Sequence, residues 1–303
     1  MPCYHPLQAS FFVRQDGKKD LRFSNVSAES FCKGNPVNLP DNLALPCGKC
    51  MGCRLERSRQ WAVRCMHEAS LYEDNCFLTL TYRPDTVPLD GSLVKDEFPL
   101  FMKKLRQKFS DIRIRYYMCG EYGEQFGRPH YHSCMFNFDL PDKVVWKSVN
   151  GFTLYTSSLL DKVWGKGFCS IGSLSFESAA YVARYCTKKI TGSNAVEYYK
   201  GREPEFGLQS SKPGIGADWF YKWKGDCFPS DYLIVNGAMC KPPRYYDKLL
   251  EREDPVLLEK IKKQRVERAS DKDDNNFRRL LDREKCQEAR FKKLIRIIER
   301  NVI

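Results

Sequence analysis

The sequence predicts an α+β protein in which helices flank a central antiparallel sheet, with a cysteine-rich segment before the sheet and a charged helical tail after it. Three observations support this fold class. Runs rich in β-branched and aromatic residues occur at 75–82, 111–123 and 128–138, as expected of strands. Stretches with helical periodicity lie between and around these runs. The polar link "GEQFG" alone joins the last two runs, which is typical of an antiparallel hairpin.

Two helices are predicted in the first half of the chain. Apolar residues recur at helical spacing in "RLERSRQWAVRCMHEASLYE", which predicts a helix over about 54–73. The strand at 75–82 follows directly and is closed by Pro84. Residues 94–111 carry aromatic and aliphatic side chains on one side and lysines and arginines on the other, which predicts an amphipathic helix.

The composition of the second half of the chain changes at about residue 200 and again at about residue 247. Helices are predicted at 158–166 and 177–190, while 200–246 is rich in Gly, Pro and aromatic residues and is predicted to be irregular. After that the composition becomes charged and lacks Gly, which predicts one or two helices interrupted at "SDKDDNN". We therefore expect three parts: a cysteine-rich segment with a helix at 1–74, a core domain with additions at 75–246 and a helical tail at 247–303.

The composition favours a nucleic-acid-binding protein. The 303 residues carry a formal net charge of +12, and a basic chain of this kind usually has a polyanionic partner. No apolar run is long enough to cross a membrane, and the first residues lack the features of a secretory signal. We therefore expect no membrane association. The fourteen cysteines are expected to be mostly reduced and buried.

Two of the four histidines, His130 and His132, lie on one predicted strand with a tyrosine between them. Alternate residues of a strand point to the same face, so both imidazoles can bind one divalent ion. If the hairpin turns near 125–128, Glu121 lies across from the pair, and Glu124 in the turn is its rival. Two imidazoles and a carboxylate suit Mg²⁺ or Mn²⁺. The alternative is two ordinary histidines on a solvated strand.

Cys47, Cys50 and Cys53 form a C-x-x-C-x-x-C motif. This spacing suits a structural Zn²⁺ held by thiolates, with Cys3 as the fourth ligand and His5 or Cys65 as alternatives. A tight turn without metal, or an iron–sulfur or redox role, remains open for the same motif.

Tyr181 and Tyr185 are four residues apart in "AAYVARYCTKKI" and share one face of the predicted helix, with Lys188 close to that face. A phenol is a weak nucleophile at its ordinary pKa, so a neighbouring cation or metal-bound phosphate would assist it. The alternative is that both rings pack in the core.

Two further groups of residues suit contact with a nucleic acid. Four aromatic residues of "DWFYKWKGDCF", Trp219, Phe220, Tyr221 and Trp223, either stack unpaired bases or pack in the core, and packing is favoured. Basic residues of the first two helices are expected to contact phosphates: Arg54, Arg57, Arg59, Arg64, Lys103, Lys104, Arg106 and Lys108.

The order of these motifs resembles that of HUH endonucleases, which initiate rolling-circle replication. "HYH" is similar to the His-hydrophobic-His motif, and "YVARYCTK" is similar to the Y-x-x-x-Y-x-x-K motif of the two-tyrosine branch, both after the apolar strand "FLTLTY". The segment "PCGKCMGCRLERSRQWAVRC" resembles the replication initiators of gokushovirus-type microviruses, which are single-stranded DNA phages. The resemblance covers 75–190, extends to about residue 45 and stops before about 245.

The resemblance implies a ferredoxin- or RRM-like core and an origin-specific enzyme that nicks and rejoins single-stranded DNA. Glu121, His130 and His132 would hold the metal. Tyr181 and Tyr185 would form 5′-phosphotyrosine links in turn, and Lys188 would balance charge there. The released 3′-hydroxyl would prime a host polymerase in the host cytoplasm. No ATP-binding loop of the G-x-x-x-x-G-K-[ST] type is present, which implies a host helicase.

Two alternatives to this function stay open. One is a single-tyrosine relaxase or transposase with the same chemistry. The other is a zinc-stabilised nucleic-acid-binding regulator without catalysis. Only the enzymes would form a covalent adduct with DNA.

Overall fold

The computed structural model describes residues 3–13, 19–23, 43–123, 126–149, 151–184, 189–190, 194–270 and 276–302. The chain divides into two compact units. One consists of Met1–Arg57 and Gln264–Ile303, and the other of Ser58–Lys263. In the part of the chain just defined, no helix has both the length and the apolar character needed to cross a membrane.

The unit formed by the two ends of the chain contains a small antiparallel sheet, which the sequence did not predict. Its order is β2-β1-β3, with β1 at Leu7–Val13, β2 at Lys19–Phe23 and β3 at Leu43–Leu45. The charged tail supplies a long helix to this unit, Phe277–Val302 (α9). The predicted break near "SDKDDNN" lies mostly outside the described residues.

The central unit is built on a seven-stranded antiparallel sheet of order β10-β5-β6-β4-β9-β8-β7. The predicted fold class, an antiparallel sheet flanked by helices, is therefore confirmed. Its strands are β4 Asn75–Leu80, β5 Arg115–Tyr122, β6 Pro129–Phe136, β7 Val144–Val149, β8 Phe152–Thr156, β9 Cys169–Ser173 and β10 Phe206–Gln209.

Helices cover both faces of this sheet. Leu78 and Leu80 of β4 pack into the core beneath α2 (Glu97–Lys108) and α3 (Ser158–Trp164). Phe77 points to the opposite face, which α1 (Met51–Ala69) and α4 (Phe176–Ala183) cover. The central strands β4, β5 and β6 are largely apolar on both faces because both faces are buried.

Helix α4 begins with a capping box. The Ser175 side chain accepts a hydrogen bond from the Ser178 backbone, and the Ser178 side chain interacts with the Ser175 backbone in return. The predicted helix over 177–190 is too long, because the observed helix ends at Ala183 and 189–190 are not helical. The predicted helix over 54–73 is also displaced, since α1 runs from Met51 to Ala69.

The prediction that 200–246 is irregular is wrong. This region adds β10 to the sheet edge by pairing with β5, and it contains a short helix and a hairpin. These elements are too short to show a clear periodicity, which is why the sequence pattern missed them. The remaining elements are α5 Asn194–Tyr199, α6 Ala217–Trp223, β11 Leu233–Val235, β12 Ala238–Cys240, α7 Arg244–Glu253 and α8 Pro255–Ser270.

Candidate metal centre and nucleophile

The β5–β6 hairpin brings a carboxylate opposite the histidine pair. Glu121 is the direct cross-strand partner of His130, and Cys119 is that of His132. All four side chains therefore lie on one face of the sheet. The hairpin is closed by a hydrogen bond from Gly123 N to Arg128 O at 3.0 Å. Glu124, the rival ligand, lies outside the described residues.

Three ligand atoms converge on this face. Oε1 of Glu121 lies 3.3 Å from Nε2 of His130 and 3.5 Å from Nε2 of His132. The three donor atoms all lie within 4.8 Å of one another. Glu121 and His132 are each only 1% exposed, whereas the side chain of His130 is 17% exposed. The site therefore opens to solvent on the His130 side.

The far nitrogen of each imidazole has its own partner. Nδ1 of His130 lies 3.1 Å from the carbonyl oxygen of Arg128, which only accepts hydrogen bonds, so Nδ1 carries a proton. Nδ1 of His132 lies 2.9 Å from Oγ1 of Thr79 on β4. Partners of this kind orient metal-binding histidines and leave the Nε2 lone pair to the metal. The donor set and the tautomer of His130 therefore fit a divalent ion.

The electrostatics of the site favour an ionised carboxylate. Burial alone would raise the pKa of Glu121, but the hydrogen bonds and charges of His130 and His132 hold that pKa well below its ordinary value. A divalent cation would satisfy the same three atoms in place of these imidazole protons.

Helix α4 places a tyrosine beside these ligands. Ala179, Val182 and Ala183 are buried in the core between α4 and the sheet. Tyr181 is half-buried, and its hydroxyl donates a hydrogen bond of 2.6 Å to Oε1 of Glu121. Its ring meets that of His132 edge to face, with the ring centroids 5.0 Å apart. A potential nucleophile thus lies within hydrogen-bond reach of the metal-binding set.

The structure brings together four of the six predicted catalytic and metal-binding residues: Glu121, His130, His132 and Tyr181. The other two, Tyr185 and Lys188, lie outside the described residues. The sequence predicted no role for Thr79, yet its hydroxyl contacts His132. The sequence carried no signal for this contact, because it depends on the register between β4 and β6.

The four cysteines of the N-terminal motif also converge. The Sγ atoms of Cys3, Cys47, Cys50 and Cys53 all lie within 4.8 Å of one another. Backbone N–H groups point at the sulfurs: Cys47 N lies 3.3 Å from Cys3 Sγ, and Tyr4 N lies 3.4 Å from Cys50 Sγ. Burial acts to raise the pKa of Cys50, but backbone hydrogen bonds from Tyr4 and Cys53 outweigh it and lower this pKa to about 7. Four converging sulfurs, one with thiolate character, are compatible with a divalent metal.

The two alternative fourth ligands of the cysteine cluster, His5 and Cys65, contact other residues. Nε2 of His5 lies 2.6 Å from a carboxylate oxygen of Glu284. Cys65 is fully buried in the core beside Cys119 and Cys134.

Some of the residues predicted to contact a nucleic acid are engaged by the protein itself. The guanidinium of Arg64 packs between the rings of Trp61 and Tyr245, 4.0 Å from each centroid, and its Nε donates a hydrogen bond to the Ile215 carbonyl oxygen. Trp219 and Phe220 are buried, as the favoured interpretation expected. The other two aromatic residues of that cluster, Tyr221 and Trp223, are about half exposed.

Comparison with known proteins links this site to phage replication. Residues 75–190 match the family model described as replication-associated protein ORF2/G2P. The chain is 34% identical to the replication-associated protein ORF2 of Spiroplasma virus 4 over 282 residues, which covers 88% of this chain and 86% of that protein.

Two further relatives carry similar names. The replication-associated protein VP4 of Bdellovibrio phage phiMH2K is 33% identical over 84% of this chain and 79% of its own length. The replication-associated protein ORF4 of Chlamydia phage 1 is 29% identical over 69% of this chain and 54% of its own. No solved structure matches the chain significantly.

Proposed function

Because the chain belongs to the family of replication-associated proteins of microvirus-type phages, we propose that it is an origin-specific, metal-dependent enzyme that nicks and rejoins single-stranded DNA through a tyrosine. The observation that carries this proposal is the 2.6 Å hydrogen bond between the Tyr181 hydroxyl and Glu121, whose carboxylate contacts both histidines. A nucleophile and a metal-binding set at one point are what phosphoryl transfer to a phenol requires.

Glu121, His130 and His132 would hold the ion, with Thr79 and the Arg128 carbonyl orienting the two imidazoles. Mg²⁺ or Mn²⁺, when bound there, would polarise the scissile phosphate as a Lewis acid. The exposed side of His130 is where a DNA strand would approach.

The phenol oxygen of Tyr181 would attack the scissile phosphorus. An O–P bond to the tyrosine forms while the bond from phosphorus to the 3′-oxygen breaks. The phenol loses its proton, and the departing 3′-oxygen gains one as a hydroxyl. Phosphodiester bonds are conserved in number, so the link can be reversed without ATP by attack of a 3′-hydroxyl. Glu121, which already accepts the phenol hydrogen bond, positions the hydroxyl and is the group nearest to its proton.

The second predicted tyrosine would complete the cycle. In this proposal Tyr185 cuts the regenerated origin after one round, and the new 3′-hydroxyl attacks the first phosphotyrosine to close a circle. Lys188 balances the charge of the phosphate or phenolate. A host polymerase extends the first 3′-hydroxyl, and a host helicase separates the strands, in the cytoplasm of an infected bacterium. We assign catalysis to 75–246, with 1–74 and 247–303 as accessory parts.

The four cysteines would serve this enzyme structurally. Cys3, Cys47, Cys50 and Cys53 would hold one Zn²⁺ that joins the start of the chain to helix α1. Each of these cysteines offers a sulfur, and no open position for a substrate is needed in such a site.

The proposal is tested by incubating the full chain with a labelled single-stranded oligonucleotide that carries the phage origin. We expect a covalent protein–DNA adduct on a denaturing gel with Mn²⁺ and none with EDTA. In the Glu121→Gln variant, adduct formation should fall about 100-fold or more because a metal ligand is lost. Tight binding without any adduct in Mn²⁺ would instead indicate a non-catalytic regulator and overturn the proposal.

A further inference from the structure

An exposed aromatic pair lies near the proposed active site. Trp146, on the edge strand β7, is 46% exposed, and Phe168, directly before β9, is 41% exposed. Their ring centroids are only 4.7 Å apart, so they form one apolar surface. Paired aromatic rings that remain in water are unfavourable unless a partner covers them.

The strand register puts Phe168 on the same sheet face as the metal ligands. Thr79 pairs with His132 on one side and with Ser170 on the other. Two residues further along, Thr81 N donates a hydrogen bond of 3.1 Å to Phe168 O, so the same row continues. His130, Thr81 and Phe168 therefore lie in one cross-strand row, and Phe168 is two strand spacings, about 10 Å, from His130.

The position of Phe168 is fixed by the backbone around it. The Thr81 hydroxyl also donates to Phe168 O, at 2.7 Å. The preceding residue, Gly167, packs so closely on the end of β4 that a Cβ there would collide with the carbonyl of Thr81. The backbone of Phe168 is thus held in place before any ligand arrives, which lowers the entropic cost of binding.

A cation completes the surface. Nζ of Lys147 lies 4.2 Å from the centroid of the Trp146 ring. Within the described residues, Lys147 makes no ion pair with a carboxylate. An aromatic platform bordered by an available cation matches a base attached to a phosphate.

We propose that Trp146 and Phe168 form a stacking subsite for an unpaired base that flanks the scissile phosphate. This inference rests on the proposed function, since it assigns the same site its contact with the strand. Single-stranded DNA fits better than a protein partner because Phe168 lies in the row of His130 and the cation of Lys147 borders the pair. The platform would hold the strand so that one particular phosphate lies at the metal ligands.

A second aromatic pair offers a matched control. Tyr198, on α5, is 48% exposed, and its ring centroid lies 5.0 Å from that of Tyr199. Like Trp146, it presents an exposed ring that contacts a second aromatic ring, but it lies on a helix and not on the sheet that carries the histidine pair. Exposure and ring contact alone would make the two equivalent, whereas position in the sheet distinguishes them.

The test measures binding of the full chain to a labelled single-stranded origin oligonucleotide by fluorescence anisotropy in EDTA. We expect Trp146→Leu and Phe168→Leu each to weaken binding about tenfold, while Trp146→Phe and Tyr198→Leu stay within about twofold of the unsubstituted protein. Leucine keeps the apolar contact and removes the π face, and thermal melting checks that each variant is folded. Equal affinities for all four variants would overturn the proposal and leave the platform to a second copy or a host protein.

The outcome of this binding test does not depend on the outcome of the nicking test. If the unsubstituted chain forms an adduct in Mn²⁺ and Trp146→Leu binds DNA with unchanged affinity, the proposed subsite is wrong and the proposed enzyme activity stands. If Trp146→Leu loses affinity but the unsubstituted chain forms no adduct, the subsite stands and the enzyme activity is wrong.

Discussion

The hydroxyl of Tyr181 donates a hydrogen bond of 2.6 Å to Oε1 of Glu121, although the two residues are 60 positions apart in the chain. The same oxygen contacts both histidines of the "HYH" motif. The helix α4 and the β5–β6 hairpin of the sheet thus bring a phenol and the three predicted metal ligands to one point.

Thr79 should affect the Mn²⁺ affinity of the site, although it is not one of the three predicted ligands. Replacing it with Val removes the hydroxyl beside Nδ1 of His132 while keeping the shape of the side chain. We expect Mn²⁺ to bind about tenfold more weakly, as is usual when the partner of a metal-binding histidine is lost. Isothermal titration calorimetry on the full chain measures this affinity.

Two variants serve as controls for Thr79. Thr79→Ser keeps the hydroxyl and should retain the affinity. Thr81→Val removes a hydroxyl from the same strand face, but one that bonds to the Phe168 carbonyl, and should leave Mn²⁺ binding unchanged. If Thr79→Val binds as tightly as Thr81→Val, Thr79 does not position His132.

The cysteine cluster should contain one zinc ion per chain. Cys3→Ser removes one of the four converging sulfurs and should abolish zinc retention and lower the melting temperature of the protein. Cys286→Ser is the matched control, because Cys286 is an exposed free cysteine outside the cluster. Metal analysis of protein purified without added zinc measures the number of zinc ions per chain. A zinc-free native protein, or full retention by Cys3→Ser, would show that the cluster is not a zinc site.

His67 should make the protein less stable in mild acid. Its ring stacks on Trp219 with the centroids 3.5 Å apart, and its Nδ1 lies within hydrogen-bond distance, 2.7 Å, of the Tyr246 hydroxyl. Burial lowers the pKa of His67 to about 4, below the value of about 6.5 in the unfolded chain. As the pH falls, the unfolded chain therefore takes up the proton first, and the free energy of unfolding should decrease by about 3 kcal/mol between pH 6.5 and 4.

Urea unfolding at several pH values isolates this effect. His67→Gln should lose that part of the pH dependence, whereas His5→Gln, which changes a half-exposed histidine, should keep it. Identical slopes for His67→Gln and the native protein would mean that His67 titrates normally in the folded state.

The sequence predicted the parts of this fold whose pattern is strong and local. The strand at 75–82, the helix around 94–111 and the hairpin of "HYH" each have a clear period, and each appears close to the predicted position. Hairpin geometry predicted Glu121 across from the histidine pair, with Glu124 as its rival, because a short hairpin leaves few registers. The structure places Glu121 opposite His130. The roles of these residues in metal binding remain predictions.

Features that depend on pairing between distant strands could not be predicted from the sequence. Thr79 meets His132 only through the β4–β6 register, and β10 is four residues long and gains its hydrogen bonds from β5. The position of Phe168 in the row of His130 depends on two successive strand pairings. None of these relationships produces a periodic pattern in the sequence.

Whether Tyr181 is the nucleophile is decided by identifying the residue that becomes linked to DNA. The Tyr185→Phe variant is incubated with the origin oligonucleotide and Mn²⁺, digested with a protease and a nuclease, and analysed by mass spectrometry. We expect a nucleotide-modified peptide with the link on Tyr181, and no such peptide when Tyr181→Phe is added. A link on any other residue, or none in Tyr185→Phe while the native protein forms one, would contradict this assignment.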